Sequence, residues 1–217
     1  MSLSADMIFA LLFFGTLPFI LIGVTAFVKF AVTLGLLRNA LGVQQIPPNI
    51  VLYSMALIMS LYVMLPTAVE SATVIQAGLN SDRPLISYTQ EIVTPFLEFV
   101  KRHTNPDEVI FFKETATRLW GEQLANDLTG ENATPLSQLI LHMPAFMVSE
   151  LTKAFQIGFL LYLPFVVIDL IVANVLLALG MSTLSPITIS LPIKLLLFIG
   201  LDGWRRLLEA LSSSYVL

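Results

Sequence analysis

Three ionisable side chains stand inside otherwise apolar stretches of this chain: Lys29, Asp169 and Lys194. A charge at bilayer depth costs roughly 2.5 to 3.5 kcal/mol on insertion scales, so each must face protein or water. Two chemistries follow. Asp169 can carry a proton or ion in a relay, or the charges can pair with each other or with other subunits of an assembly. Glu150 and Lys153, just before the third apolar stretch, add one group of each sign. Little else is equipped for chemistry. The chain has no cysteine, which excludes disulfides, zinc-thiolate sites and cysteine nucleophiles. His103 and His142 lie in different segments with no second ligand at metal spacing. No His-Glu-x-x-His helix, Gly-x-Ser-x-Gly elbow, P-loop or Gly-x-Gly-x-x-Gly turn occurs. Glu98, Glu108 and Glu114 read as acids of solvated helix faces, and no basic patch with interleaved aromatics supports nucleic-acid binding. The protein reads as non-enzymatic, without catalytic residue, metal or cofactor.

The elements that hold these charges are apolar. Of 217 residues 56% are hydrophobic and 12% charged, against about a quarter charged in soluble domains, so the composition is of the membrane class. Charge-free runs at 7–28 and 39–69 each exceed the roughly 20 apolar residues that span a bilayer. Runs at 155–181 and 187–201 are interrupted by Asp169 and Lys194. Pro18, Pro66, Pro164, Pro186 and Pro192 fall in or beside these runs and predict kinked or broken helices supported by surrounding protein. The acid Asp6 precedes the first run where a signal peptide needs a basic region, so that run is expected to stay.

Charge divides the chain into a first apolar hairpin, 1–69, a polar insert, 70–135, and a second apolar hairpin, 136–217. The insert holds ten acids against five bases. Within it, 88–103 places Ile92, Phe96, Phe99 and Val100 on one stripe, and 107–124 does the same with Ile110, Phe111, Leu119 and Trp120. Asn105-Pro106 breaks the two helices, Pro95 kinks the first or marks its start, and 129–135 is a loop. Asn132-Ala133-Thr134 matches a glycosylation sequon, which carries little weight here. Lys29 and Arg38 flank the first connection and place it inside, with the insert and both termini outside, although Arg205 and Arg206 pull the other way. The fold class is all-α, without repeat, low-complexity tract or strand pattern.

The first hairpin turns at 36–49, Leu-Leu-Arg-Asn-Ala-Leu-Gly-Val-Gln-Gln-Ile-Pro-Pro-Asn. Pro47 and Pro48 cannot sit inside a helix, Gly42 admits a backbone that other residues resist, and Asn49 is suited to cap the next helix. This stretch, with Arg38, Asn39, Gly42, Gln44, Gln45, Pro47, Pro48 and Asn49, resembles the signature of the type III secretion export-gate family, called SctR or YscR in injectisomes and FliP in flagella. So do Pro144–Phe159, Tyr162–Leu170, Ser185–Leu196 and Asp202-Gly203-Trp204, in order and at the family's spacing. The insert matches only in position and length. The missing signal sequence and the 41–50 run with Tyr53 look closer to injectisome members.

That resemblance implies a non-enzymatic core subunit in the bacterial inner membrane. Five copies would join four S-type subunits and one T-type subunit in a helical gate that protrudes into the periplasm. A U-type switch protein, the large export-gate protein and the inner rod or needle would be further partners, and unfolded proteins would pass through the centre. The hairpins, nominally four transmembrane helices, would be lifted largely out of the bilayer plane. It also implies an inter-subunit salt bridge between Glu150 and Lys194. Family members carry three methionines in a pore gasket; here the loop reads Met181, Ser182, Thr183, Leu184, so only Met181 remains of them. A smaller, more polar ring results, since the flexible thioether is what adapts to irregular contacts. The rival reading is an independent ion-coupled transporter built on Asp169 and Lys194.

Overall fold

The computed structural model describes residues 15, 20–43, 45–79, 88–130, 133–181 and 183–216, and all regular structure among them is helical. The elements are α1 (Phe27–Leu41), α2 (Asn49–Leu79), α3 (Thr89–His103), α4 (Pro106–Trp120), α5 (Glu122–Thr129), α6 (Pro135–Ala178), α7 (Pro186–Gly200) and α8 (Gly203–Ser213).

The boundaries follow local chemistry. At the start of α4 the Asn105 side chain accepts from the Asp107 amide at 3.0 Å, and Pro106 fills the first helical position, where no amide donor is needed. Thr134 does the same before Pro135, accepting from the Ser137 amide at 3.3 Å. The helix expected over 107–124 is instead two helices. Gly121 takes φ 83, a left-handed value that glycine adopts without steric cost, and separates α4 from α5. Asn49 does not act as the cap of α2. The Pro48 carbonyl accepts from the Val51 amide at 3.0 Å, while the Asn49 side chain is held by Arg38.

Prolines interrupt less than the sequence predicts. Pro66 lies within α2, Pro95 within α3, Pro192 within α7, and Pro144 and Pro164 within α6, all in continuous helix. Each forfeits one backbone hydrogen bond, which the long flanking turns tolerate.

The chain forms two compact units, 1–28 with 64–150, and 29–63 with 151–217. Two helices, α2 and α6, run from one into the other. In the first unit Ser71 Oγ donates to the Ile92 carbonyl at 3.2 Å, tying α2 to α3. The rings of Phe99 and Phe146 meet edge to face at 5.9 Å, and the Asn105 amide donates to Ser149 Oγ at 2.9 Å, fixing α3 and its exit against α6. In the second unit α1 and α6 approach closely: a Cβ at Gly158 would fall 2.3 Å from Leu36 Cδ1. Phe165, Phe198 and Trp204 form a chain of rings, with centroids 6.4 and 5.3 Å apart, across α6, α7 and α8.

Two helices are long and apolar enough to cross a membrane, α2 and the 44-residue α6, or three if α7 and α8, bent by 61°, count as one broken span. At 1.5 Å per residue α6 extends about 66 Å, some twice the ~30 Å of a hydrocarbon core. The expected four spans therefore reduce to two or three among the described residues. The run at 7–28 lies largely outside them, and α7 alone, at 15 residues, reaches only about 22 Å.

Candidate functional site

Along α7, Ser190, Lys194 and Phe198 are buried at i, i+4 and i+8, so one helical face turns two polar side chains inward. Lys194 Nζ donates to Asp169 Oδ2 of α6 at 2.6 Å and to the Ala40 carbonyl of α1 at 3.3 Å. Ser190 Oγ donates to the second carboxylate oxygen, Asp169 Oδ1, at 2.7 Å. The Lys194 side chain is 5% exposed and that of Asp169 40%, so the cation is enclosed and the carboxylate half-open. Ala40 belongs to the last turn of α1, whose carbonyls have no intrahelical donor and carry the negative end of the helix dipole. One ammonium thus neutralises a carboxylate and caps a helix, binding three elements together.

The signature turn begins at this point. Gly42, at φ 78, closes α1 with its amide on the Asn39 carbonyl at 3.1 Å, and a Cβ there would stand 4.0 Å from Lys194 Nζ. Arg38 then spans the turn: Nη1 donates to Asn49 Oδ1 and, at 3.4 Å, to the Pro47 carbonyl. The Ile46-Pro47 bond is cis, and Gln45 and Pro48 are exposed. Gln44 lies outside the described residues.

Lys29 and Lys194 face protein, as membrane-depth charges must. Lys29, in α1, is 1% exposed, and its Nζ lies 3.6 Å from the centroid of the Tyr215 ring. Glu150 is fully buried in α6. Within the single chain Lys194 is thus engaged by Asp169, and Glu150 is enclosed by the chain's own atoms.

The loop after α6 presents Met181. Gly180 takes φ 71, its amide bonds the Leu177 carbonyl at 3.0 Å, and the Met181 amide bonds the Leu176 carbonyl at 2.9 Å. This pair of crossed bonds ends a helix with a fixed exit direction. The Met181 backbone is therefore set while its side chain stays 45% exposed. Thr183 and Leu184 are exposed as well, and Ser182 lies outside the described residues.

Other sequence candidates resolve into ordinary roles. His103 and His142 each bring Nδ1 to the carbonyl four residues earlier, Phe99 and Gln138, at 2.8 Å. The stripe expected on α4 is not a core stripe, since Ile110, Phe111, Leu119 and Trp120 are all exposed. Sequence reasoning missed Ser190 and Tyr215. Ser190 could have been found one turn before Lys194 on the same face; nothing in the sequence ties Tyr215 to Lys29.

The FliP family profile matches residues 10–211. Over 202 residues the chain is 49% identical to "Yop proteins translocation protein R" of Yersinia pestis, covering 92% of this chain and 90% of that protein. It is 44% identical to "Hypersensitivity response secretion protein HrcR" of Ralstonia nicotianae over 207 residues, 92% and 91% of the two chains. Against "Virulence protein YscR" of Salmonella typhimurium the identity is 41% over 201 residues, again 92% and 91%. The likeness runs nearly end to end, and the chain belongs to the FliP family, on its injectisome side.

Proposed function

We propose that this chain is a non-enzymatic structural subunit of a type III protein-export gate in the bacterial inner membrane. The observation that carries the reading is the near end-to-end likeness to proteins named for translocation and secretion. An apolar exterior supports it, because such a chain offers surface to neighbouring subunits, while Lys194 is paired with Asp169 inside. In this reading five copies assemble with four S-type subunits and one T-type subunit. The assembly protrudes into the periplasm, and the insert, 70–135, faces outward between the hairpins 1–69 and 136–217. Unfolded proteins pass through the centre, and the U-type, large-gate and rod or needle proteins adjoin it. The Met181–Leu184 loop lines the closed pore. Its exposed Met181 on a fixed backbone suits a contact that must adapt without the helix moving.

An inter-subunit Glu150–Lys194 pair belongs to the same reading, and it requires an exchange of partners. Asp169 holds Lys194 in the single chain, so assembly would have to release that ammonium and uncover Glu150.

The test is a native mass measurement of the chain co-expressed with its S- and T-type neighbours in mild detergent. Five copies in one complex are expected. A chain that stays monomeric or dimeric with those neighbours present overturns the reading. An independent transporter on Asp169 and Lys194 would instead give flux as a small reconstituted unit, abolished by Asp169→Asn.

A further inference from the structure

Lys29 is among the largest fully buried side chains of the described residues, and the export reading gives it no task. What covers it comes from the far end of the sequence. After the Gly200 end of α7 the chain bends by 61° through Asp202, whose φ of 52 is left-handed, and enters α8. Leu207, Leu211 and Tyr215 follow at i, i+4 and i+8, and all three are buried. Arg205, Arg206 and Glu209 occupy the exposed side. The turn past α8 is closed by the Tyr215 amide on the Ser212 carbonyl at 3.1 Å and the Val216 amide on the Ser213 carbonyl at 3.1 Å, which fixes the backbone from which the Tyr215 ring projects. That ring stacks on Phe30 at 6.4 Å and 20°, with the Lys29 ammonium 3.6 Å from its centroid.

We infer that residues 203–216 form a strap latched by the Tyr215 ring over the Lys29 ammonium, so that the cation and not only apolar burial decides how often the strap opens. A desolvated ammonium over an aromatic face is attracted by the ring quadrupole far more strongly than an exposed one. Leu207 and Leu211 alone would hold the strap whatever residue stood at position 29. The latch makes a specific difference: it couples two residues that no local sequence pattern connects.

The strap carries its own reporter. Arg205 and Arg206 are exposed, yet trypsin cuts a helix only when it opens locally, and the cutting rate follows the open population when reclosing is fast. The full-length chain in detergent is digested briefly and cleavage after Arg205 or Arg206 is read by mass. Tyr215→Leu should speed that cleavage roughly thirtyfold in the natural chain, the factor for a well-desolvated cation–π contact, and only a few-fold in the Lys29→Met chain. Tyr215→Phe, which keeps the ring face, should be cut clearly more slowly than Tyr215→Leu. Equal acceleration by Tyr215→Leu with and without Lys29 overturns the latch. Should Lys29→Met not fold, the comparison of Tyr215→Phe with Tyr215→Leu decides alone, and equal rates for those two overturn it. None of these readouts depends on the copy number of the gate.

Discussion

The unit formed by 29–63 with 151–217 and the helical insert α3–α5 solve folding in opposite senses. In the former, polar side chains lie inside among apolar ones: Lys29, Thr33, Ser190 and Lys194 are buried beside Phe30, Leu34, Leu37 and Leu211, while Leu57, Leu61, Phe159, Leu160, Leu196 and Ile199 stand outside. In the insert Leu97, Phe99, Val100, Ala116 and Ala125 are inside and the charges outside. Where the surroundings are as apolar as leucine, burying leucine gains nothing, and helices are held by close packing and hydrogen bonds. Where the surroundings are water, apolar burial drives association and polar groups serve as caps. Lys194 and Asn105 show the contrast: one ties three helices from within, the other stops one helix at its end.

The largest expected effect tests whether polar ties hold the first of these regions. Asp169→Leu leaves the Lys194 ammonium, 5% exposed, with the Ala40 carbonyl as its remaining partner in the tie, and should cost about 3–5 kcal/mol, the range for an uncompensated buried charge. Lys194→Met should cost clearly less, because the carboxylate it abandons is 40% exposed and keeps the Ser190 hydroxyl. Thermal unfolding of the detergent-solubilised chain checks the order. Equal losses for the two variants would show that the tie is not held by its enclosed cation.

Next in size is the close packing. Gly158→Ala places a methyl 2.3 Å from Leu36 Cδ1 and 3.0 Å from Leu36 Cβ. The tip of the leucine can rotate away, but its Cβ moves only with the backbone of α1. Overpacking of this kind costs about 1–3 kcal/mol, read in the same unfolding experiment. A neutral result would mean that α1 and α6 slide past each other at little cost, and that the polar tie alone sets their spacing.

Much of this was legible in the sequence because it is local. The break read at Asn105-Pro106 and the end of the 129–135 loop coincide with the starts of α4 and α6, where Asn105 and Thr134 supply side-chain acceptors and the prolines need no amide donor. That Lys29 and Lys194 must face protein or water followed from the cost of a charge in hydrocarbon, without knowing the partners. The partners were not legible, since sequence left Asp169, Glu150 and other subunits open to Lys194, and only three-dimensional packing chooses among them. Gly121 was passed over because a stripe of period 3.6 does not reveal which glycine takes positive φ. The prolines misled for a related reason: each forfeits only one backbone hydrogen bond, and α2, α3, α6 and α7 all keep helical turns on either side that absorb it.

The smallest expected effect returns to the insert. If its folding rests on apolar burial, then apolar side chains that are not buried should contribute nothing to the single chain. Leu119 is 74% exposed on α4, beside the exposed Trp120 and one turn after Ala116, which is buried. Leu119→Ser should therefore change the unfolding midpoint by no more than about 0.5 kcal/mol equivalent, as surface substitutions do. A loss near 2 kcal/mol, typical of a filled core position, would place Leu119 against a neighbour within the chain and would restore the core stripe that the sequence pattern predicts for α4. A neutral outcome sharpens the contrast, because residues of the same type would then be silent for opposite reasons. Leu119 would face water and contribute no burial, and Leu196 of α7 would face outward from a unit held by close packing and by the polar tie within it.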